Sequence, residues 1–172
     1  MMKRLHKRQS GVTLIEMTII AVLASVLAAM AVPRWLEYIP QMRTKAAVRD
    51  VVSTLREARS LAISRKVPYG VRFDYEQGQY ALFKDADSPG NEIYSSGDSV
   101  ITDTPVGTDV YMQYTTFTDN SVFFNPDGSA SMSGTVMFES VNYQTQLTVE
   151  VWAATGRVRM VDGYSFMETQ GY

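Results

Sequence analysis

The most pronounced pattern along the chain is an apolar run near its start, residues 12–32. These 21 residues contain one charged side chain, Glu16. As a helix with a rise of about 1.5 Å per residue, the run would be about 32 Å long, which matches the hydrocarbon thickness of a bilayer. The pattern therefore predicts a membrane-spanning helix that carries a single carboxylate.

The charges on the two sides of this run differ in sign. Four basic side chains and no acidic ones precede it: Lys3, Arg4, Lys7 and Arg8. By the positive-inside rule they hold this end in the cytoplasm, so the chain beyond Pro33 emerges on the other side of the membrane. The whole chain has 16 Lys and Arg against 18 Asp and Glu, so without these four its net charge is −6. The emerging part is predicted to be acidic.

Beyond the apolar run the pattern remains helical. Pro33 and Pro40 each remove a helix hydrogen bond and can bend this stem. Over residues 44–65 apolar side chains return every three or four positions, which predicts a helix with one buried face. Arg and Lys occupy much of the other side, which is typical of a solvated face but could also bind nucleic acid or anionic lipid. The apolar positions are Val48, Val51, Val52, Leu55, Ala58, Leu61 and Ala62.

After Pro68 the pattern changes to the alternation of β-strands. Val71, Phe73 and Tyr75 share one face of a predicted strand, and Gln77-Gly78 predicts a turn into a second strand at 79–83. Further strands are predicted at 110–117, 121–124, 134–139, 146–152 and 156–161. A helix and a sheet that each have one apolar face can cover one another. The predicted fold is α+β, with a long N-terminal transmembrane and stem helix packed against a C-terminal antiparallel sheet.

Composition removes several kinds of chemistry. The chain has no cysteine, and its single histidine is His6, ahead of the apolar run. Disulfides, thiolate metal sites and a Ser-His-Asp arrangement in the body of the protein are therefore excluded. Glu139, Glu150, Asp74 and Asp162 could act as an acid/base pair only if the fold brings two of them together. No cofactor is expected, and the chain is not expected to be an enzyme.

One acidic segment resembles a calcium-binding loop without completing it. Asp85, Asp87, Gly90 and Asn91 provide oxygen ligands and a turn. The pattern fails at Pro89, and Ser96 stands where a bidentate glutamate would be needed. The segment is interpreted as a solvated acidic turn.

The residues at the start of the apolar run form a recognisable junction. Gly11-Val12-Thr13-Leu14-Ile15-Glu16, preceded by Lys7-Arg8-Gln9-Ser10, resembles the leader junction of type IV prepilins and type II secretion pseudopilins. The resemblance implies that a prepilin peptidase cuts after Gly11 and methylates the new N-terminus at Val12, where many members have Phe. It also implies that Glu16 pairs with the N-terminal ammonium of a neighbouring subunit in a filament.

Two other interpretations of this segment differ in processing. An uncleaved signal anchor would keep the leader, and a secretory signal peptide would be cut after Ala29-Met30-Ala31. The run is longer than the usual apolar core of a signal peptide, which is about 7 to 15 residues, and it carries Glu16. Both features argue against cleavage after Ala31.

The rest of the chain resembles the GspH/FimT branch of the pseudopilins. The resemblance is carried by residues 55–63, Val71-Arg72-Phe73, residues 124–128, and Val149-Glu150-Val151 leading to residues 155–159. It implies a structural subunit of a secretion filament with four segments: a leader at 1–11, a transmembrane and assembly helix at 12–32, a stem at 33–66, and a β-rich periplasmic domain at 67–172. Its implied partners are other pseudopilins or pilins, the prepilin peptidase and the bacterial inner membrane.

The element Gly156-Arg157-Val158-Arg159 supports an alternative function. Alternating arginines on a strand point to the same side and could contact successive phosphates. FimT-like minor pilins bind DNA with such an element, so the resemblance implies that Arg157 and Arg159 could do so here. The acidic charge of the remaining chain disfavours DNA. The preferred hypothesis is a secretion pseudopilin, and an anchored periplasmic enzyme or ligand-binding domain is the least favoured.

Overall fold

The computed structural model describes residues 11–86, 94–95, 97–142 and 145–163, with side chains described outside residues 31–37. Its elements are α1 (Leu14–Arg65), β1 (Tyr69–Asp74), β2 (Gln79–Lys84), β3 (Ser99–Pro105), β4 (Val110–Thr115), the 3-10 turn Thr118–Asn120, β5 (Ser121–Phe124), β6 (Gly134–Ser140), β7 (Gln146–Trp152) and β8 (Arg157–Asp162). The chain divides into two compact units, Met1–Tyr38 and Ile39–Tyr172.

The helix α1 begins in the first unit and continues through Pro33 and Pro40 to Arg65. Its start follows Thr13, whose hydroxyl accepts a hydrogen bond from the backbone N–H of Glu16 at 3.3 Å. Its end is followed by Lys66 in the left-handed conformation, with φ of 60°. Among the described residues, no helix contains an apolar stretch long enough to cross a membrane.

The predicted stripe of α1 is its buried face in the second unit. Val48, Val51, Leu55, Ala58 and Ala62 have no exposed surface. They pack in one core with apolar side chains from both sheets, among them Val71, Phe73, Val122, Phe138 and Val149. The α+β prediction of a helix packed against antiparallel sheet is confirmed.

The strands form two four-stranded sheets where the sequence predicted one. The first sheet has the order β3-β2-β1-β5 and the second the order β4-β6-β7-β8. Every pair of neighbouring strands is antiparallel. The strand β3 was missed by the sequence, and Tyr75 lies in the turn after β1, not in the strand. Most side chains of β3 are exposed, so no alternation marks that strand.

The register of the strands decides which loops meet the end of α1. Tyr69 at the start of β1 pairs with Lys84 and Phe124, and it follows α1 after a short connection. The turn after Phe124 therefore lies at the same end of the domain as the end of α1. At the other end, Arg43 of α1 forms an ion pair with Asp109.

Candidate functional site

The predicted processing junction lies just ahead of α1. Gly11 and Val12 are exposed and precede the helix, which starts at Leu14. Thr13 accepts a hydrogen bond from the N–H of Glu16, and its carbonyl accepts one from the N–H of Met17 at 3.2 Å. Thr13-Leu14-Ile15-Glu16 thus has the spacing of a helix capping box, which leaves Gly11 and Val12 outside the helix. Cleavage after Gly11 and methylation of Val12 stay predictions.

Glu16 stands alone in an exposed apolar surface. It is in the first turn of α1, where a negative charge interacts favourably with the helix dipole. In the part of the chain that the structure describes, Glu16 takes part in no ion pair. More than half the surface of each of these large apolar side chains is exposed: Leu14, Ile15, Met17, Ile19, Ile20, Val22, Leu23, Val26, Leu27 and Met30. An exposed apolar surface of this extent is typical of a segment that a membrane or another protein covers.

At the end of the domain where α1 finishes, two turns and the helix meet in close contact. Arg59 Nε donates a hydrogen bond to the Gly128 carbonyl at 2.8 Å. Gly156 has φ of 57°, and a Cβ there would lie 2.1 Å from the Gly128 oxygen and 2.8 Å from Arg59 Nε. Only glycine fits between them. Gly156 therefore fixes the start of β8 against the turn 125–129 and the helix.

The turn 125–129 is itself held by Asp127. Its Oδ1 accepts hydrogen bonds from the Ser129 backbone N–H at 2.8 Å and from the Ser129 hydroxyl at 2.6 Å. These bonds lower the pKa of Asp127, because they favour its ionised form. Gly128, with φ of 88°, then presents its carbonyl to Arg59.

The two arginines of the β8 element have different surroundings. Both point to the same side of β8, opposite Trp152 and Glu150 of β7. Arg159 Nε lies 3.5 Å from Glu150 Oε2, with Arg159 54% and Glu150 5% exposed. Arg157 is exposed and belongs to none of the described ion pairs. Arg157 and Arg159 are therefore not equivalent cations.

Arg157 instead shares a groove with two arginines of α1. The groove has a volume of about 560 Å³ and is lined by Arg56, Arg59, Arg157, Ser60, Ile63 and Val158. Arg56 Nη2 lies 3.4 Å from the Val158 carbonyl, a long hydrogen bond. The sequence shows Arg56 and Arg59 three residues apart on one helix face, but it does not show that this face meets β8. Arg56 and Arg59 were therefore not predicted from the sequence to be neighbours of Arg157.

The carboxylates named as acid/base candidates are not paired with one another. Glu139 accepts hydrogen bonds at 2.7 Å from the side-chain amides of Gln113 and Gln146. Glu139 is opposite Gln146, and Glu150 lies four residues further along β7. At about 3.3 Å per residue this separates the two glutamates by about 13 Å. Asp74 lies 4.0 Å from Arg72 in β1, and Asp162 ends β8 opposite Leu147.

The acidic loop lies mostly outside the described residues. Asp87, Gly90 and Asn91 fall in that part, while Asp85 is described and fully buried. Among the described residues, no group of three His, Asp or Glu side chains could hold a metal ion.

Comparisons with known proteins identify two segments. Residues 47–155 match the family model described as type II transport protein GspH. Residues 6–32 match the model of the prokaryotic N-terminal methylation motif. Among curated proteins, no sequence matches this chain.

Solved structures share the fold at low sequence identity. Two structures of the minor pseudopilin EpsH from the type 2 secretion system of Vibrio cholerae have TM-scores of 0.54 and 0.52 and identities of 13% and 14%. They cover 70% and 72% of this chain and 97% of their own chains. The Pseudomonas aeruginosa type IV minor pilin FimU has a TM-score of 0.53 and 11% identity, covering 70% of this chain and 90% of its own.

Proposed function

The chain belongs to the type II transport protein GspH family, and on this premise we propose that it is a minor pseudopilin of a type II secretion system. Members of this family are structural subunits, so the chain is not an enzyme. In the proposed role, α1 anchors the chain in the bacterial inner membrane with the N-terminus in the cytoplasm. The β-rich domain is then displayed in the periplasm and joins a short filament with other pseudopilins.

The observation that carries the proposal is the combination of a bare apolar helix with one carboxylate in its first turn. Residues 14–30 expose apolar side chains on all sides, and Glu16 makes no ion pair within the described chain. A membrane supplies the apolar surroundings. An ionisable side chain inside a membrane segment is costly unless it is paired, so Glu16 requires a partner from outside the segment.

A processed N-terminus provides such a partner. Cleavage after Gly11 by a prepilin peptidase leaves Val12 as the first residue, and its methylated amine keeps a positive charge. The match of residues 6–32 to the methylation motif supports this step. Glu16 of one subunit would then pair with the amine of Val12 in its neighbour, which sets the axial register between adjacent helices.

Intact mass of the protein extracted from membranes tests the processing. We expect a chain that begins at methylated Val12. A chain that begins at Met1 would instead indicate an uncleaved anchor, and one that begins at Val32 a secretory signal peptide. Either result would contradict the proposal.

Substitution of Glu16 tests assembly. We expect Glu16→Ala to insert into the membrane normally but to be depleted from sheared filaments, because the carboxylate is needed only once helices pack together. Glu57→Ala is the matched control, since Glu57 is an exposed carboxylate on the same helix. Normal incorporation of Glu16→Ala would contradict the assembly role.

One observation supports the alternative of a FimT-like minor pilin that binds DNA. Arg157 is exposed beside Arg56 and Arg59, and these three have no acidic partner among the described ion pairs. Two observations oppose it. Arg159 is paired with Glu150, and the chain after the leader has an excess of acidic residues. We therefore prefer the secretion filament.

A further inference from the structure

Three positive charges meet in the groove lined by Arg56, Arg59 and Arg157, and no described acidic side chain forms an ion pair with them. Within the described residues, the side-chain hydrogen bonds of these arginines go to backbone carbonyls, at 2.8 Å for Arg59 and 3.4 Å for Arg56. In the part of the chain that the structure describes, none of the three forms an ion pair. Three like charges around one groove repel one another, so an anion that enters it relieves the repulsion. The groove is therefore suited to an anionic ligand.

The shape of the groove favours a carboxylate side chain. Arg59 is half-buried and held in place by Gly128, so part of its guanidinium group is already ordered before a ligand arrives. A planar guanidinium matches a carboxylate with two parallel hydrogen bonds. Ile63, 39% exposed, adds an apolar wall that a neighbouring aliphatic side chain can contact. An acidic residue within a peptide segment satisfies both features.

A nucleic acid fits the same surface less well. A DNA backbone is held by several cations in a row, and the next arginine along β8 is already neutralised by Glu150. The remaining chain, with its excess of acidic residues, repels a polyanion at longer range. A short acidic segment meets only the three arginines of the groove.

This chain itself has acidic turns, at the end of the domain opposite the groove. Asp74 ends β1 there, and the nearby turns carry the exposed Glu76 and Asp119. Filaments are built from heterologous contacts, in which one surface of a subunit meets a different surface of the next. A subunit with acidic turns at that end would present carboxylates to a basic groove.

We propose that the groove of Arg56, Arg59 and Arg157 docks an acidic turn of an adjacent filament subunit. This inference rests on the proposed role as a filament subunit and names the surface that receives the neighbour. Glu16 would fix the packing of the membrane helices, while the groove would orient the periplasmic domain. All three arginines are docking cations, and the hydrogen bond from Arg59 to Gly128 also shapes the groove.

Binding of a hexaglutamate peptide tests the groove. The full chain in detergent is titrated against the labelled peptide at about 50 mM salt, where screening is moderate. We expect saturable binding that Arg56→Gln with Arg157→Gln weakens about tenfold or more, because two charge-assisted contacts are lost. Arg65→Gln with Lys66→Gln is the matched control, since it removes two exposed cations at the same end of α1 outside the groove. The control should stay within about twofold of the unsubstituted chain.

Three results would overturn the proposal. These are no binding of hexaglutamate, equal loss in the control pair, or preference for a DNA duplex of about 20 base pairs over the peptide. The two double variants are then compared for incorporation into filaments. Only the variant with Arg56→Gln and Arg157→Gln should be depleted from them. These substitutions lie far from the processing junction along the chain, so we expect cleavage after Gly11 and membrane insertion to be unchanged. A failure here therefore bears on the groove, while the Glu16 and mass experiments decide the proposed function.

Discussion

Tyr80 joins three elements through one hydroxyl group. It lies in β2 with 4% of its surface exposed. Its hydroxyl group lies near Thr54 and Asp50 of α1 and Thr104 of β3, and all three side chains act on its pKa. Burial, the largest effect, raises the pKa of Tyr80, because the phenolate would lose its hydration. Its neutral form is therefore part of the contact between helix and sheet.

The raised pKa predicts how stability depends on alkaline pH. An unfolded tyrosine ionises near pH 10, whereas folded Tyr80 holds its proton to higher pH. The unfolded chain thus binds fewer protons above about pH 10, so the free energy of unfolding falls there. We expect Tyr80→Phe to lose about 1 kcal/mol of the free energy of unfolding at pH 8, because the polar contacts of the hydroxyl are lost, and to decline less steeply above pH 10.

Urea unfolding of the full chain in detergent at a series of pH values measures this effect. Tyr111→Phe is the control, because Tyr111 is 47% exposed and its loss should leave the alkaline decline unchanged. An identical decline for the unsubstituted chain and Tyr80→Phe would show that Tyr80 does not contribute to it.

At the scale of elements, the turn 125–129, the turn before β8 and α1 meet in close contact. Gly156 lies where a Cβ would overlap the Gly128 carbonyl oxygen. The overlap is with backbone, which cannot rotate away as a side chain can. This junction sets the position of Arg157 relative to Arg56 and Arg59.

Gly156→Ala is predicted to be strongly destabilising. The left-handed conformation alone costs an alanine about 1 kcal/mol, and the overlap with Gly128 adds to it, for a total of about 2 kcal/mol or more. Gly78→Ala measures the cost of the left-handed conformation alone, since Gly78 has φ of 64° and nothing within 4 Å of its Cβ position. Urea unfolding compares the two variants. Equal losses of the free energy of unfolding would mean that the turn can shift to relieve the overlap.

At the scale of the whole molecule, α1 has a different role in each compact unit. In Met1–Tyr38 its described apolar side chains are exposed, and in Ile39–Tyr172 its apolar face is part of the core. The core of the second unit therefore includes the apolar face of α1 between Val48 and Ala62. In the proposed function, the helix begins as an assembly element, and its later part is a core element.

Two truncations test this division. A chain that starts at Ile39 keeps the buried stripe of α1, so we expect it to unfold cooperatively with a single thermal transition. A chain that starts at Tyr69 loses that stripe and exposes the inner faces of both sheets, so we expect it to aggregate or to show no cooperative transition. Circular dichroism and light scattering separate the outcomes. Cooperative unfolding of the shorter chain would mean that the two sheets are stable without the helix.

Several features were determined by the sequence itself, because they depend on local pattern. The apolar run with Glu16, the buried stripe of α1 and most of the strands follow from neighbouring residues alone, whereas cleavage at the Gly11-Val12 junction stays a prediction. The end of α1 at Arg65 and the bounds of β5 and β7 agree with the predicted segments. Membership of the GspH family agrees with the resemblance carried by short motifs.

Other features were decided only by the tertiary structure, because they join residues that are distant along the chain. The division into two sheets depends on strand pairing, and β3 has too few buried side chains to be marked in advance. Arg159 is paired because β7 places Glu150 opposite it. Arg157 joins Arg56 and Arg59 because Gly156 packs against Gly128. Glu16 is defined by its own segment, whereas the arginine groove exists only once the strand and the helix have come together.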